Sequence, residues 1–368
     1  MSPRAKNAIS VAGRAVLSFG LLALLIYLFR NELGRSVEKI GRAAPVPLVL
    51  AAAWYVVFIF ISAWRWQILL RARGLRFTTW YLARVFTLGL FFCKLLPTSI
   101  GGDVMRIAYT ARKGKTVEAF SATFLDRLIG FVSLTSLAVT VAVVLYFTTP
   151  AWRELSMPLG RLVLSGTLVV MLLAGILLLL VLGTLVLFND AAHRLAVRVF
   201  GGVKFLGIGA TLDRAYGAVK EYRHDRAALA LSFVSGIGVQ AALSFAWFHT
   251  AQAIRGAVPL VFYFVMIPLL NIIVNIPSIG GLGVREASFS AFYVFFSGPL
   301  GAAQQNEAKA TAIAVALLFL ALDLVFAMLG GLLFAVTRRK TDPVPESQLP
   351  AGVFQEEDGS ATNSQIEH

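Results

Sequence analysis

Ionisable side chains stand inside stretches that are otherwise apolar: Arg84, Lys94, Asp103, Arg106, Asp126, Arg127, Arg285, Glu286 and Asp323. At membrane depth each costs about 2.5 to 3.5 kcal/mol on insertion scales, so each needs a partner or a purpose. Their spacing suggests what that purpose is. Asp103 and Arg106 follow the pair Gly101-Gly102, and Arg285 and Glu286 follow Gly280-Gly281. If helix resumes after each glycine pair, residues three apart share a face. Unwound glycine backbone and the helix start beside it offer N–H groups to an anion, and the planar fork of arginine suits a phosphate. Arg106, Arg127 and Arg285 are therefore candidate phosphate ligands, with Asp103, Asp126 and Glu286 holding those arginines in place or exchanging protons. Gly101, Gly102, Gly280 and Gly281 would supply backbone donors. Asn275, one turn after Asn271, would line the same cavity, although capping of a broken helix explains that pair equally well. A second reading of the charged set is internal ion pairing with no ligand, because buried pairs often serve structure alone.

Other chemistries lack their residues. Cys93 is the only cysteine and the four histidines are dispersed, so neither a disulfide within the chain nor a metal site is expected, and no cofactor is implied. No nucleophile elbow, phosphate-binding Gly-Lys-Ser loop or His-Glu-x-x-His motif occurs, and no catalytic residue is assigned. The net charge of +14 does not point to nucleic acid, since the basic residues are scattered between apolar segments and suit anionic lipid headgroups better.

The elements that must position these groups lie in a bilayer. Apolar residues make up 58% of the chain and charged ones 14%, well outside the soluble range of about 45 to 50% and about 25%. Residues 11–29, 47–63, 119–147, 159–188, 227–250 and 308–336 are each long and apolar enough to cross a membrane. The first reads as an uncleaved helix, because Arg30-Asn31-Glu32 follows it where a signal peptide would have small residues. Two further apolar regions, 78–111 and 259–297, are interrupted at Pro97-Thr98-Ser99-Ile100-Gly101-Gly102 and at Pro277-Ser278-Ile279-Gly280-Gly281. Such breaks cannot face lipid, so they are loops in water or broken helices buried in the bundle. Trp54, Trp64, Trp66 and Trp80 sit near membrane ends, where interfacial anchoring is expected.

Loop charge favours the buried alternative. If both broken regions are re-entrant hairpins, one face collects most of the loop Lys and Arg residues, including Arg65, Arg71, Arg73, Arg76, Arg112 and the basic stretch 190–226. By the positive-inside rule that face and both termini are cytoplasmic. Cysteines at 114 and 207 are then expected to label from the cytoplasm, and cysteines at 36 and 156 from outside. The fold expected is an all-α polytopic membrane helix bundle of six full crossings plus two broken re-entrant hairpins. It occupies residues 1–340 and is followed by a disordered cytoplasmic tail, 341–368. Each half, 11–147 and 159–336, reads helix, helix, hairpin, helix. Three crossings per half invert the second half relative to the first, the arrangement of secondary transporters with broken helices at the midplane.

The segments Leu96-Pro97-Thr98-Ser99-Ile100-Gly101-Gly102-Asp103 with Arg106, Asp126-Arg127, and Pro277-Ser278-Ile279-Gly280-Gly281-Leu282-Gly283-Val284-Arg285-Glu286 resemble the motifs of the lysylphosphatidylglycerol synthase transmembrane region, a flippase-like family of bacterial and archaeal membrane proteins. Aspartate at 126 departs from the glutamate expected there. The resemblance implies a cytoplasmic (inner) membrane protein that moves an anionic lipid or lipid-linked headgroup between leaflets, with membrane lipid as its partner. The chain ends shortly after its last apolar segment, so the synthase domain and its aminoacyl transfer are not expected. A membrane-embedded headgroup transferase and a non-catalytic partner subunit of a separate glycosyltransferase or synthase remain as alternatives. The lipid, the energy coupling and the oligomeric state are left open.

Overall fold

Helix is the only way to satisfy every backbone group of a long apolar run in lipid, apart from a closed barrel, and helices dominate the computed structural model. It describes residues 30–95, 101–112, 115–154, 156–159, 162–190, 194, 216, 217, 219–274, 284–298 and 301–337. The expected crossing at 11–29 and the tail 341–368 lie outside the described residues. The elements are α1 (Arg30–Gly41), α2 (Pro45–Ala72), α3 (Thr79–Leu95), α4 (Gly101–Thr110), α5 (Thr116–Thr148), α6 (Pro150–Glu154), β1 (Ser156–Leu159), β2 (Leu162–Ser165), α7 (Gly166–Phe188), α8 (Arg226–Ala253), α9 (Leu260–Val274), α10 (Val284–Phe296) and α11 (Ala302–Thr337). Among them α2, α5, α7, α8 and α11 are long and apolar enough to span a membrane.

Three boundaries differ from the sequence expectation by more than a turn: α2 runs on to Ala72, past the expected end at 63 and through Arg65; α11 starts at Ala302, before the expected 308; and α7 starts late. The crossing expected at 159–188 starts at Gly166, because β1 and β2 form an antiparallel hairpin pairing Ser156 with Ser165. Pro158 and Gly160 disfavour helix before this point, and the Ser165 hydroxyl accepts from the Leu168 N–H as an N-cap.

Both broken regions turn back on themselves. In the first, the Tyr81 hydroxyl donates to the Tyr109 carbonyl at the base, while Gly102 packs on Gly89 and Cys93 near the break. A Cβ on Gly102 would come within 2.5 Å of the Cys93 Sγ, so glycine is what lets α3 and α4 meet there. In the second, Phe262 at the start of α9 lies 5.5 Å, ring to ring, from Phe296 at the end of α10. Residues 96–100 and 275–283, between the arms, lie outside the described residues.

The hairpins open toward opposite ends of the bundle. The base of the first lies with the ends of α2 and α5: the Arg112 guanidinium stacks on Phe77, Arg73 pairs with Glu221, and the buried Tyr222 hydroxyl donates to the Leu69 carbonyl at 3.0 Å. Burial raises the pKa of Tyr222, so the tie persists in mild alkali. At this end Arg223 donates to both Asp190 oxygens at 2.6 and 3.1 Å, and Tyr216 donates to one of them. Those hydrogen bonds hold Asp190 well below the usual carboxylate range. Its charge is therefore retained as pH falls through the ordinary Asp range. The base of the second hairpin lies at the other end, where Trp152 stacks on both Phe262 and Phe296 and the Ala44 N–H donates to the Ala253 carbonyl.

The long helices pack across the two halves of the chain. Helix α2 runs antiparallel against its counterpart α8. Helix α5, which closes the first half, packs on α9 of the second hairpin, and α11, which closes the second half, packs on α3 of the first. The last contact needs Gly330, where a Cβ would fall 2.2 Å from the Thr87 carbonyl oxygen. Bare apolar side chains such as Leu179 on α7 and Met328 on α11, 71% and 63% exposed, face lipid.

Short α1 lies along α11, its Ser36 hydroxyl donating to the Ala310 carbonyl. Ser36 is fully buried there, so a cysteine at 36 cannot serve as the accessible probe the sequence suggests. Val37 is exposed and replaces it. Positions 114 and 207 lie outside the described residues, so exposed neighbours stand in for them and for 156: in a Cys93→Ser background, cysteines at 112 and 220 should react with impermeant maleimide from one side of the membrane, and cysteines at 37 and 153 from the other. Labelling of 37 and 220 from the same side would overturn the hairpin topology.

Candidate functional site

Two clusters of charge are buried between the hairpins and the long helices. The first is centred on Asp126, roughly 15 Å along α5 from Thr116 at 1.5 Å per residue. It is 1% exposed and accepts from Arg65 Nε of α2 at 2.7 Å and from Arg106 Nη2 of α4 at 2.8 Å. Arg106 also reaches Asp103 at 3.6 Å, and Arg127 pairs with the other oxygen of Asp103. The Arg106 guanidinium lies 4.2 Å over the Trp66 ring and 5.4 Å over the Phe86 ring, two cation–π contacts that help hold it in place. Trp66 is fully buried, so it is a wall of this site and not the interfacial anchor its position suggests.

The second cluster is centred on Asp323 of α11. Its Oδ2 accepts from Arg285 Nη1 of α10 and from Lys94 Nζ of α3, both at 2.7 Å, and its Oδ1 from the Tyr55 hydroxyl of α2 at 2.6 Å. Arg285 Nε is 3.3 Å from Glu286. Asp323 is thus the shorter partner of Arg285, which the adjacency of Arg285 and Glu286 in the chain does not reveal.

Counting the named side chains, the second cluster balances two cations with two carboxylates. The first sets Arg65, Arg106 and Arg127 against Asp103 and Asp126, one positive charge in excess. That excess borders open space. A cavity of about 340 Å3 lies between the hairpins, lined among others by Arg65, Arg127, Gln240 and Asn271, with Phe86 from the first hairpin and Val274 from the second. Asn271 donates to the Gln240 side-chain oxygen at 3.2 Å. The Arg127 side chain is 35% exposed, against 7% for Arg106 and 10% for Arg285. Arg106 Nε and Arg285 Nη2 are buried with no hydrogen-bond partner among the described residues.

The structure therefore sorts the residues that the sequence nominates. It brings Asp103, Arg106, Asp126 and Arg127 together beside the buried pair Gly101-Gly102, and keeps Arg285 and Glu286 in a separate cluster. Asn275, Gly280 and Gly281 lie outside the described residues. Arg84 is exposed and stacks on Trp80 at the surface, apart from both clusters. Three participants escape sequence reasoning: Arg65, which reads as a loop charge, and Tyr55 and Gln240, which read as apolar-helix residues. The only signal for Tyr55 and Arg65 is a stripe on α2, where Tyr55, Ser62 and Trp66 recur at helical spacing and Arg65 flanks it; Gln240, on α8, has none. Among the described residues no group of His, Cys, Asp and Glu has the makings of a metal site.

No curated protein and no solved structure matches this chain. A family comparison matches residues 11–331, nearly the whole apolar part, to the Lysylphosphatidylglycerol synthase TM region. With its spanning helices and a match of that extent, the chain is a multi-pass membrane protein that belongs to the lysylphosphatidylglycerol synthase transmembrane region family.

Proposed function

We propose that this protein moves a lipid with an anionic headgroup between membrane leaflets, the headgroup passing through the cavity between the hairpins while the acyl chains stay in lipid. The observation that carries this reading is the excess positive charge of the first cluster beside a cavity that combines polar groups (Arg65, Arg127, Gln240, Asn271) with apolar walls and takes lining from both hairpins. A phosphodiester carries one negative charge, which matches that excess. Arg127 and Arg65 reach it first, Asp103 orients Arg127, and the amides of Gln240 and Asn271 add polar contacts. Arg106 supports the site from within its ion pair with Asp126, while Arg285 is held apart in the Asp323 cluster. The basic end of the bundle faces the cytoplasm of a bacterial or archaeal cell, by the positive-inside rule. Exposed apolar helix faces give the acyl chains a path along the protein.

Reconstitution tests the reading. Proteoliposomes containing only this chain should expose a fluorescently labelled phosphatidylglycerol of the inner leaflet to an impermeant quencher, faster than protein-free vesicles do. A headgroup transferase would instead need a donor and change the lipid's mass, and a partner subunit would do neither. Unaltered lipid moving no faster than in empty vesicles would overturn the proposal.

A further inference from the structure

Asp323 is a carboxylate that both hairpins grip. Lys94 stands at the end of α3 and Arg285 at the start of α10, each within two residues of its hairpin's undescribed tip, and both touch the same oxygen, Oδ2, at 2.7 Å. The Tyr55 hydroxyl holds Oδ1 at 2.6 Å, and the Tyr55 ring is stacked on Phe326 of α11, so the carboxylate itself is fixed to the bundle. Asp126 makes a different pattern, with a ligand from α4 and one from α2, and thus serves only the first hairpin. Glu286 meets Arg285 of its own hairpin at 3.3 Å.

We propose that Asp323 is a positioning residue that latches the two hairpins to each other, so that neither moves away from the midplane without releasing the other. The chemistry makes the latch steep. Two cations on one oxygen attract it, but repel each other once it is neutral, so removing the charge turns a tie into a wedge. In a bundle whose hairpins enter from opposite faces, such a tie makes opening toward one face depend on the state of the hairpin from the other. The inference concerns the hairpins alone and holds whatever the cargo.

Two reporters read it on the purified full chain in detergent, without any transport assay. One is native Cys93 on α3, packed on Gly102; the other is Ser290→Cys on α10, in a Cys93→Ser background, at a position 1% exposed. Both should react slowly with a maleimide in the parent protein. Asp323→Asn should speed both by about tenfold, as local opening becomes easier, and Asp323→Glu should return both toward the parent rate. Leu125→Ala, a core change on α5 that lowers the melting temperature and removes no ligand of Asp323, should leave both slow. The latch is overturned if Asp323→Asn frees one reporter alone or neither, if Asp323→Glu behaves as the asparagine does, or if Leu125→Ala speeds both equally. Should Asp323→Asn fail to fold, Lys94→Gln read at position 290 decides: a rise of about threefold on the opposite hairpin supports the latch, and an unchanged rate sinks it.

Discussion

Asp126→Asn should destabilise the protein by about 3 to 5 kcal/mol, because it leaves the buried guanidinium groups of Arg65 and Arg106 without the carboxylate they share. In detergent this should appear as a melting temperature lower by on the order of 10 °C. The pairing itself need not be strongly stabilising, since burying three charges carries its own desolvation cost; the effect comes from stranding two of them. Adding Arg65→Gln should therefore recover much of the loss, because Arg106 keeps Asp103 at 3.6 Å and its place over Trp66. Translocation should not recover with it, since Arg65 also lines the cavity. A single Asp126→Asn protein that melts with the parent would show that the cluster is hydrated and its charges independent of one another.

Arg127→Gln should do the reverse, cutting lipid translocation by at least about tenfold, or about 1.4 kcal/mol of recognition, while the melting temperature barely changes. Its side chain is 35% exposed in the cavity, and a pair so open to water contributes about 0 to 1 kcal/mol to stability. Arg127→Lys should recover only part of the rate, because it keeps the charge and loses the bidentate fork. The contrast with Arg106→Gln is the informative one. Arg106 is buried among Trp66, Phe86 and Asp126, so its loss should lower melting temperature and transport together. Scrambling at the parent rate by Arg127→Gln, at matched incorporation, would remove the phosphate from this cavity.

Part of the candidate site is legible in the chain because charge inside an apolar run is costly enough to stand out. Asp103, Arg106, Asp126 and Arg127 come forward that way, and they do meet. Arg65 does not, because it sits near the end of an apolar segment, where an arginine ordinarily reaches water; only the approach of α5 buries it against Asp126. Trp66 misleads for the same reason: the interface is the usual place for such a residue, and its burial follows from α4 laying Arg106 across its face. Arg285 and Glu286 are neighbours in sequence, yet adjacent residues on a helix point apart, and the closer partner, Asp323, comes from a helix whose placement no local pattern records.

By itself the sequence determined that the chain lies in a membrane, that residues 47–63, 119–147, 227–250 and 308–336 fall within helices long enough to span it, and that the apolar regions 78–111 and 259–297 do not run on as single helices. These follow from one-dimensional quantities: length of apolar run, and proline and glycine in it. Which carboxylate serves which cation was decided only in three dimensions. An ion pair depends on distances of 2.6 to 2.8 Å between side chains of helices far apart in the chain, set by close contacts such as Gly330 on Thr87 and Gly102 on Cys93. Packing at those points brings α11 against the first hairpin, and with it places Asp323 between Lys94 and Arg285.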